Sequence, residues 1–185
     1  MNGRKVGKMR MVLRQAGLVL AVCVAGEVAA GAAEVPGQPC DPAALPQYED
    51  FAVSLQTPAV PPVLKTDNRF ARKYRTRLIE GLRDNSVNFA GHYVMITWGC
   101  GTTCLDGGMV DAQTGRAIAL PFPLDIFGSF EVDIADPLLY RADSRLVVML
   151  GMLREDDEMP RRYFYEWAGG KFMPICHAPI STETR

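Results

Sequence analysis

The residues with the most evident chemical capacity lie between Asn88 and Gly115, in the stretch NFAGHYVMITWGCGTTCLDGGMVDAQTG. This stretch contains one histidine, His92, and two cysteines, Cys100 and Cys104. A histidine near cysteines can act as a general base, as a metal ligand or as part of a redox centre. Which of these roles is open depends on the elements that position the three side chains.

The spacing argues against a metal site shared by His92 and the cysteines. If residues 92–98 form one strand, six steps of about 3.3 Å place His92 roughly 20 Å from the cysteine loop. Zinc ligands lie only about 2.0–2.3 Å from the metal, so no metal site is predicted. We expect His92 to be a structural histidine hydrogen-bonded within the sheet. A role in a binding cleft or in proton transfer is the alternative.

The two neighbouring cysteines are better suited to a structural bridge than to redox chemistry. Three residues separate Cys100 from Cys104, one more than in the thioredoxin motif, and no βαβ pattern surrounds them. The residues after Cys104 are a poor helix start, and Asp106 adds a negative charge, so nothing there would activate a thiolate. The sequence therefore predicts a disulfide, with a redox or metal site as the alternative.

Residues 1–33 have the three parts of a secretory signal peptide. A basic segment ends at Arg14, a short apolar segment covers Ala16–Ala25, and small residues up to Ala33 offer cleavage sites. An apolar segment of this length is too short to span a bilayer, which takes about 20 residues. The sequence predicts a periplasmic or secreted protein that keeps no transmembrane anchor after cleavage.

Removal of residues 1–33 would make the chain acidic. Those residues hold five of the 20 Lys and Arg residues and one of the 21 acids, so residues 34–185 have a net charge of −5. Because binding to phosphates needs a basic domain, we expect no nucleic-acid partner. A domain of this size can bury a core without a metal, and no cofactor is predicted.

Four cysteines remain after the predicted cleavage. They are Cys40, Cys100, Cys104 and Cys176. An even number in an exported protein favours disulfides, although four cysteines permit three connectivities. Cys100 and Cys104 can meet across a Gly-Thr-Thr loop, so we predict Cys100–Cys104 and Cys40–Cys176. In the chain-entropy account the long bridge contributes about 5 kcal/mol and the short one about 2 kcal/mol.

The predicted fold is α+β, with one amphipathic helix packed on a mostly antiparallel, meandering β-sheet. A proline-rich extended segment, residues 34–66, forms one globular domain with a core of residues 67–185, and it includes one short strand at 48–55. Asp67 is the predicted helix N-cap, and the helix should end near residues 84–85. Alternation and turn residues predict strands over residues 88–98, 104–111, 116–120, 129–134, 138–140, 145–153, 161–167 and 171–176.

The predicted helix has an apolar stripe and a basic stripe. The apolar residues recur at four-residue spacing and should face the sheet: Phe70, Tyr74, Leu78 and Leu82. Residues 65–83 carry seven cations and two acids. The simplest interpretation is a solvated face that pairs with the protein's own acidic loops. The alternative is a docking surface for an acidic envelope protein or an anionic envelope surface. Its residues would be Arg69, Arg72, Lys73 and Arg77.

No catalytic signature is present in the sequence: it has no nucleophile elbow, phosphate loop or dinucleotide fingerprint. The acidic residues 155–158 lack the ligand spacing of a calcium loop and are predicted to be a solvated hairpin tip. We therefore predict a non-enzymatic binding or envelope-accessory protein. The alternative is a small periplasmic enzyme, or a redox or metal protein, that uses His92, Cys100 and Cys104.

The central motif resembles that of a group of small uncharacterised secreted bacterial proteins. The shared features are an Asn-Phe-Ala-Gly strand start, a Trp-Gly-Cys-Gly-x-x-Cys turn and a Val-Asp-x-x-Thr-Gly hairpin. Here they correspond to Asn88–Gly91, Trp98–Cys104 and Val110–Gly115. The resemblance covers about 28 residues strongly, and it implies an exported location and a fold but no activity.

Overall fold

The computed structural model of the protein describes residues 3, 36–125, 136–153 and 158–180. The described residues from 36 onward belong to one compact unit, residues 31–185. The fold is mostly β with some helix, which is compatible with the predicted α+β class. Apart from Gly3, the predicted signal peptide lies outside the described residues, as do the predicted strand at 129–134 and most of the acidic tip.

Two antiparallel sheets form the body of the protein. The first consists of β1 (Tyr93–Gly101), β2 (Cys104–Asp111), β3 (Ala117–Ala119) and β4 (Leu124–Asp125). β1 pairs with one side of β2, while β3 and β4 both pair with the other side. The second sheet is a meander of β5 (Leu138–Tyr140), β6 (Leu146–Gly151), β7 (Arg161–Ala168) and β8 (Lys171–Pro179), in that order.

The predicted single sheet is wrong, because the strands form two separate sheets. Each of these sheets is covered on both faces. In β1, Met95 belongs to the core between the sheets, whereas Val94 packs with the helices. In β6, Met149 belongs to the same central core, whereas Val148 packs with the N-terminal segment. The layers are therefore helices, first sheet, second sheet and N-terminal segment. A strand that is buried on both faces appears in the sequence as a continuous apolar run. Such a run does not indicate which face a second sheet covers.

The predicted single helix is two helices, α1 (Arg69–Lys73) and α2 (Arg75–Asp84). Tyr74, at the junction, has φ −109° and ψ 23°. Like charges four residues apart disfavour a continuous helix, and Lys73 and Arg77 are such a pair across the break. The break also lets α1 pack against β3 and α2 against β1. The predicted helix end near residue 84 is confirmed.

Asn68, and not the predicted Asp67, caps the first helix. Its Oδ1 accepts a hydrogen bond from the Ala71 N–H at 2.8 Å, and its Nδ2 donates to the Ala117 carbonyl at 2.9 Å. A carboxylate can accept but cannot donate, so only the amide can cap the helix and tie it to β3 at once. The cap thus fixes where α1 lies on the first sheet.

The N-terminal segment has little regular structure, and a 3₁₀-helix at Tyr48–Phe51 takes the place of the predicted strand. Local hydrogen bonds explain this difference. The Asp50 carboxylate accepts from the Gln47 N–H at 3.1 Å, and the Asp50 N–H donates to the Gln47 carbonyl at 3.2 Å. Such local bonds compete with the ladder bonds of a strand.

Both predicted cysteine pairs lie at disulfide distance, with Cα atoms 5.0 Å apart in each pair. Cys40–Cys176 links the N-terminal segment to β8, where the Cys40 N–H also donates to the His177 carbonyl at 2.8 Å. Cys100–Cys104 closes the turn between β1 and β2. The long bridge therefore joins layers, while the short one is local to a hairpin.

Candidate functional site

The motif that carries His92, Cys100 and Cys104 does not form one site. His92 directly precedes β1, and Cys100 is the last residue but one of that strand. Eight residues at about 3.3 Å each separate them by roughly 25 Å. In the described part of the chain, no group of three or more His, Cys, Asp and Glu side chains could hold a metal ion. The two ends of β1 are therefore considered separately.

A tight loop, and not the predicted strand, leads into β1. Phe89 and Tyr93 exchange two backbone hydrogen bonds, of 3.1 and 2.9 Å. Between them, Ala90 and Gly91 adopt positive φ angles of 45° and 84°. A Cβ on Gly91 would lie 2.8 Å from the Ser54 carbonyl oxygen, so this position requires glycine for space as well as for conformation.

Asn88 fixes this loop against the edge of β1. Its Oδ1 accepts from the Met95 N–H at 2.6 Å, and its Nδ2 donates to the Met95 carbonyl at 3.1 Å. The side chain thus satisfies both backbone groups of Met95, as a neighbouring strand would. The strand was predicted to start at Asn88 but starts at Tyr93, because the side chain of Asn88 takes the place of a strand neighbour.

The loop places His92 at the wall of a pocket of about 480 Å³. The backbone of His92 is bonded, since its carbonyl accepts from the Ala112 N–H at 2.8 Å. Its ring packs on Tyr93 with 4.3 Å between centroids. The sequence predicted that the His92 ring is hydrogen-bonded within the sheet. Within the described residues, however, the imidazole nitrogens have no hydrogen-bond partner. His92 is available to the pocket.

Arg145, Trp167 and the Gly169–Gly170 turn line the same pocket, and sequence reasoning missed all of them. They come from β7, from the turn after it and from the residue before β6, far from His92 in the chain. In the sequence, the adjacent glycines indicate only a turn. No local pattern marks a pocket assembled from such distant segments, so the only available sequence signal was the pair of adjacent glycines.

An aromatic cluster marks the other end of β1. The Trp98 ring lies 4.9 Å from the Tyr74 ring and 6.2 Å from the Phe70 ring, between centroids. The Tyr74 hydroxyl donates to the carboxylate of Asp106, the cross-strand partner of Trp98, at 3.4 Å. A Cβ on Gly108 would lie 2.4 Å from the Phe70 ring, so β2 needs a glycine to seat α1.

Four exposed cations lie on α1 and α2, and two of them contact this cluster. They are the residues predicted as a docking surface, and we call them the basic helical face: Arg69, Arg72, Lys73 and Arg77. No ion pair between described residues involves any of them. The Lys73 Nζ lies 4.7 Å from the centre of the Tyr74 ring, and the Arg77 guanidinium lies 5.5 Å from that of Trp98. The simplest interpretation requires these cations to pair with the protein's own acidic residues. No such ion pair is present among the described residues.

The carboxyl groups of the described residues give no support to acid catalysis. Where a described carboxyl group has a shifted pKa, the shift is downward. Its own backbone N–H and then Arg141 lower the pKa of Glu49, Arg83 lowers that of Asp84, and Arg141 lowers that of Asp143. A general acid needs a raised carboxyl pKa, and none of these three groups has one.

Comparisons with protein-family models, with curated proteins and with solved structures found no match to this chain. The resemblance of residues 88–115 to small secreted proteins therefore stays a prediction. Among the described residues, no helix is long and apolar enough to cross a membrane. What this protein does must be inferred from its own surfaces.

Proposed function

We propose that this protein is an exported, disulfide-stabilised binding protein of the bacterial envelope, and that its basic helical face docks an acidic protein partner. The observation that carries the proposal is the set of four exposed cations without an ion pair among the described residues. Residues 34–185 have a net charge of −5, so this concentration of positive charge is local. A like-charged face left unneutralised is suited to steer an acidic partner.

The aromatic cluster favours a protein partner over a diffuse anionic surface. Arg77 and Lys73 lie over half-buried aromatic rings, and such contacts hold the cations in defined positions. Arginine, tyrosine and tryptophan are also the residues that most often dominate the binding energy of protein interfaces. Attraction to an anionic lipid surface can rest on clustered positive charge alone and needs no defined cation–π contacts.

Export is supported by two further features. The N-terminal 33 residues have the order of a signal peptide. Both cysteine pairs lie at disulfide distance, which suits an oxidising compartment such as the periplasm. N-terminal sequencing of the protein from the envelope fraction should find a start near Glu34. An intact Met1 in cytosolic material would contradict export.

The test of the docking face is a charge-removal experiment with a matched control. Envelope extract is passed over the immobilised wild-type protein, and the captured protein is identified and purified. We expect the R72Q/K73Q/R77Q variant to bind it about tenfold more weakly at low salt. The K65Q/R116Q/K171Q control loses the same charge from exposed positions outside α1 and α2, and should change binding less than about twofold. Equal binding by wild type and R72Q/K73Q/R77Q would show that the basic helical face is only a solvated surface.

A redox role for Cys100–Cys104 is the second candidate, because Cys100 is exposed and a reductant can reach the bridge. A structural disulfide has a reduction potential below about −300 mV, whereas catalytic pairs lie roughly between −270 and −120 mV. The binding proposal predicts the lower range, and it predicts that H92Q and C100S/C104S variants keep partner binding. A potential above about −200 mV would favour the redox candidate.

A further inference from the structure

The pocket beside His92 is built from four distant segments of the chain, one of which is Arg145, the residue before β6. Ser54 comes from the N-terminal segment, His92 from the loop before β1, and Gly169 from the turn between β7 and β8. Its volume of about 480 Å³ falls in the range of sites for small organic ligands, about 300–1,000 Å³. A site of this kind needs a few polar groups that point to one place.

Arg145 provides the first of these groups. Its Nη2 lies 3.1 Å from the Glu166 carboxylate, but its Nε is buried and has no hydrogen-bond partner among the described residues. A buried charged donor without a partner is unfavourable, so its presence needs an explanation. The planar guanidinium matches the two oxygens of a carboxylate or phosphate. Its side chain is 40% exposed, so it can turn toward a ligand while the backbone stays in place.

The glycine turn provides the second group. Gly169 and Gly170, with φ of 59° and 79°, form the two-residue turn between the paired residues Ala168 and Lys171. A Cβ on either glycine would meet no atom within 4 Å, so the space above the turn is open. Neither N–H donates to a backbone carbonyl of the described residues. Adjacent free N–H groups attract anions.

The loop that carries His92 provides a third indication. Ala90, which also lines the pocket, is the only described residue other than glycine with a positive φ, 45°. This conformation costs an alanine free energy, and such strain concentrates at functional sites. The strained loop presents a histidine ring without a hydrogen-bond partner among the described residues.

We propose that this pocket binds a small organic molecule through a terminal oxyanion, a carboxylate or a phosphate. Arg145 and the N–H groups of the Gly169–Gly170 turn hold the oxyanion, and His92, which lines the same pocket, donates to it. The body of the ligand lies against Trp167, which packs edge-on to Tyr93 with 5.5 Å between ring centroids. The site goes beyond docking at the basic helical face and does not depend on it.

Titration of the full chain with phenyl phosphate and with benzoate, followed by amide NMR, tests this site. We expect saturable shifts at His92, Gly169 and Gly170 with at least one probe, and the probe that saturates identifies the oxyanion. The R145Q variant should bind at least about tenfold more weakly. E166Q is the control, because it removes the ion-pair partner but keeps the guanidinium, and it should bind as well as wild type or better.

Further variants and outcomes decide the proposal. If R145Q does not fold, R145K keeps the charge without the planar fork and should show the same loss. The R72Q/K73Q/R77Q variant should keep both probes, which separates this site from the docking face. Absence of saturable shifts up to about 20 mM of either probe would overturn the proposal. Shifts that persist unchanged in R145Q, or that are lost equally in E166Q, would also overturn it.

Discussion

The two ends of strand β1 differ in what surrounds them. Before its first residue, the loop with His92 is held by Asn88 and Gly91 and forms the wall of a pocket. At the other end, Trp98 is half-buried beside the basic helical face, and Cys100 is exposed. The residues that suggest chemistry in the sequence therefore belong to two surfaces that cannot cooperate. We infer that the loop before β1 fixes the start of this strand and lines a ligand pocket, whereas the other end of β1 supports the basic helical face through Trp98.

The largest expected effect concerns the two disulfides. Loss of Cys40–Cys176 in a C40S/C176S variant should lower the free energy of unfolding by about 5 kcal/mol, and loss of Cys100–Cys104 in C100S/C104S by about 2 kcal/mol. The difference arises because the loops enclosed span 136 and four positions. Urea unfolding of both variants measures it. An equal loss would show that the exposed end of β1 matters to stability as much as the layer contacts.

The second prediction concerns the loop before β1. N88A removes two hydrogen bonds and leaves the Met95 N–H and carbonyl without partners, so we expect a loss of about 3 kcal/mol. N85A is the control, since Asn85 makes one side-chain bond, from Nδ2 to the Gly81 carbonyl at the end of α2. Its expected cost is about 1 kcal/mol or less. If both variants lose the same stability, Asn88 has no special role.

Two glycines sharpen the comparison: Gly91, which lies before β1, and Gly99, which lies near the other end of that strand. G91A forces a Cβ against Ser54 at a positive φ and should cost about 2 kcal/mol. G99A meets no atom within 4 Å and should change stability by less than about 0.5 kcal/mol. Thermal unfolding of the two variants under the same conditions gives the comparison. If G91A left stability unchanged and G99A lowered it, the prediction would be contradicted, because the strict steric requirement would then lie at position 99 and not at position 91.

The sequence predicted the local elements better than their assembly. β2 and β5 have the predicted bounds, because their turn residues and alternation are local signals. The division of the strands into two sheets was missed, because β6 is buried along its whole length and shows no alternation of apolar and polar residues. The helix break was missed, because the four-residue apolar spacing continues unchanged across Tyr74. Strand geometry correctly separated His92 from the cysteines, but no local pattern could bring Arg145 beside His92.

Charge removal at the basic helical face is expected to have only a small effect on stability. R72Q/K73Q/R77Q loses two exposed cation–π contacts and relieves some like-charge repulsion. We expect a net change within about 1 kcal/mol, because exposed contacts of this kind contribute about 0.5–1 kcal/mol each. Thermal unfolding beside the K65Q/R116Q/K171Q control measures it. A change of several kcal/mol would show that these cations serve the fold and not a partner.

The central claim, that the basic helical face steers an acidic partner, is tested most directly by the salt dependence of association. The rate constant for the captured partner is measured with wild type and R72Q/K73Q/R77Q at about 0.1 M and 1 M salt, where the screening lengths are about 10 Å and 3 Å. We predict that the variant associates about tenfold more slowly at the lower salt and that the two rates converge at the higher salt. Equal rates at about 0.1 M salt would contradict the claim.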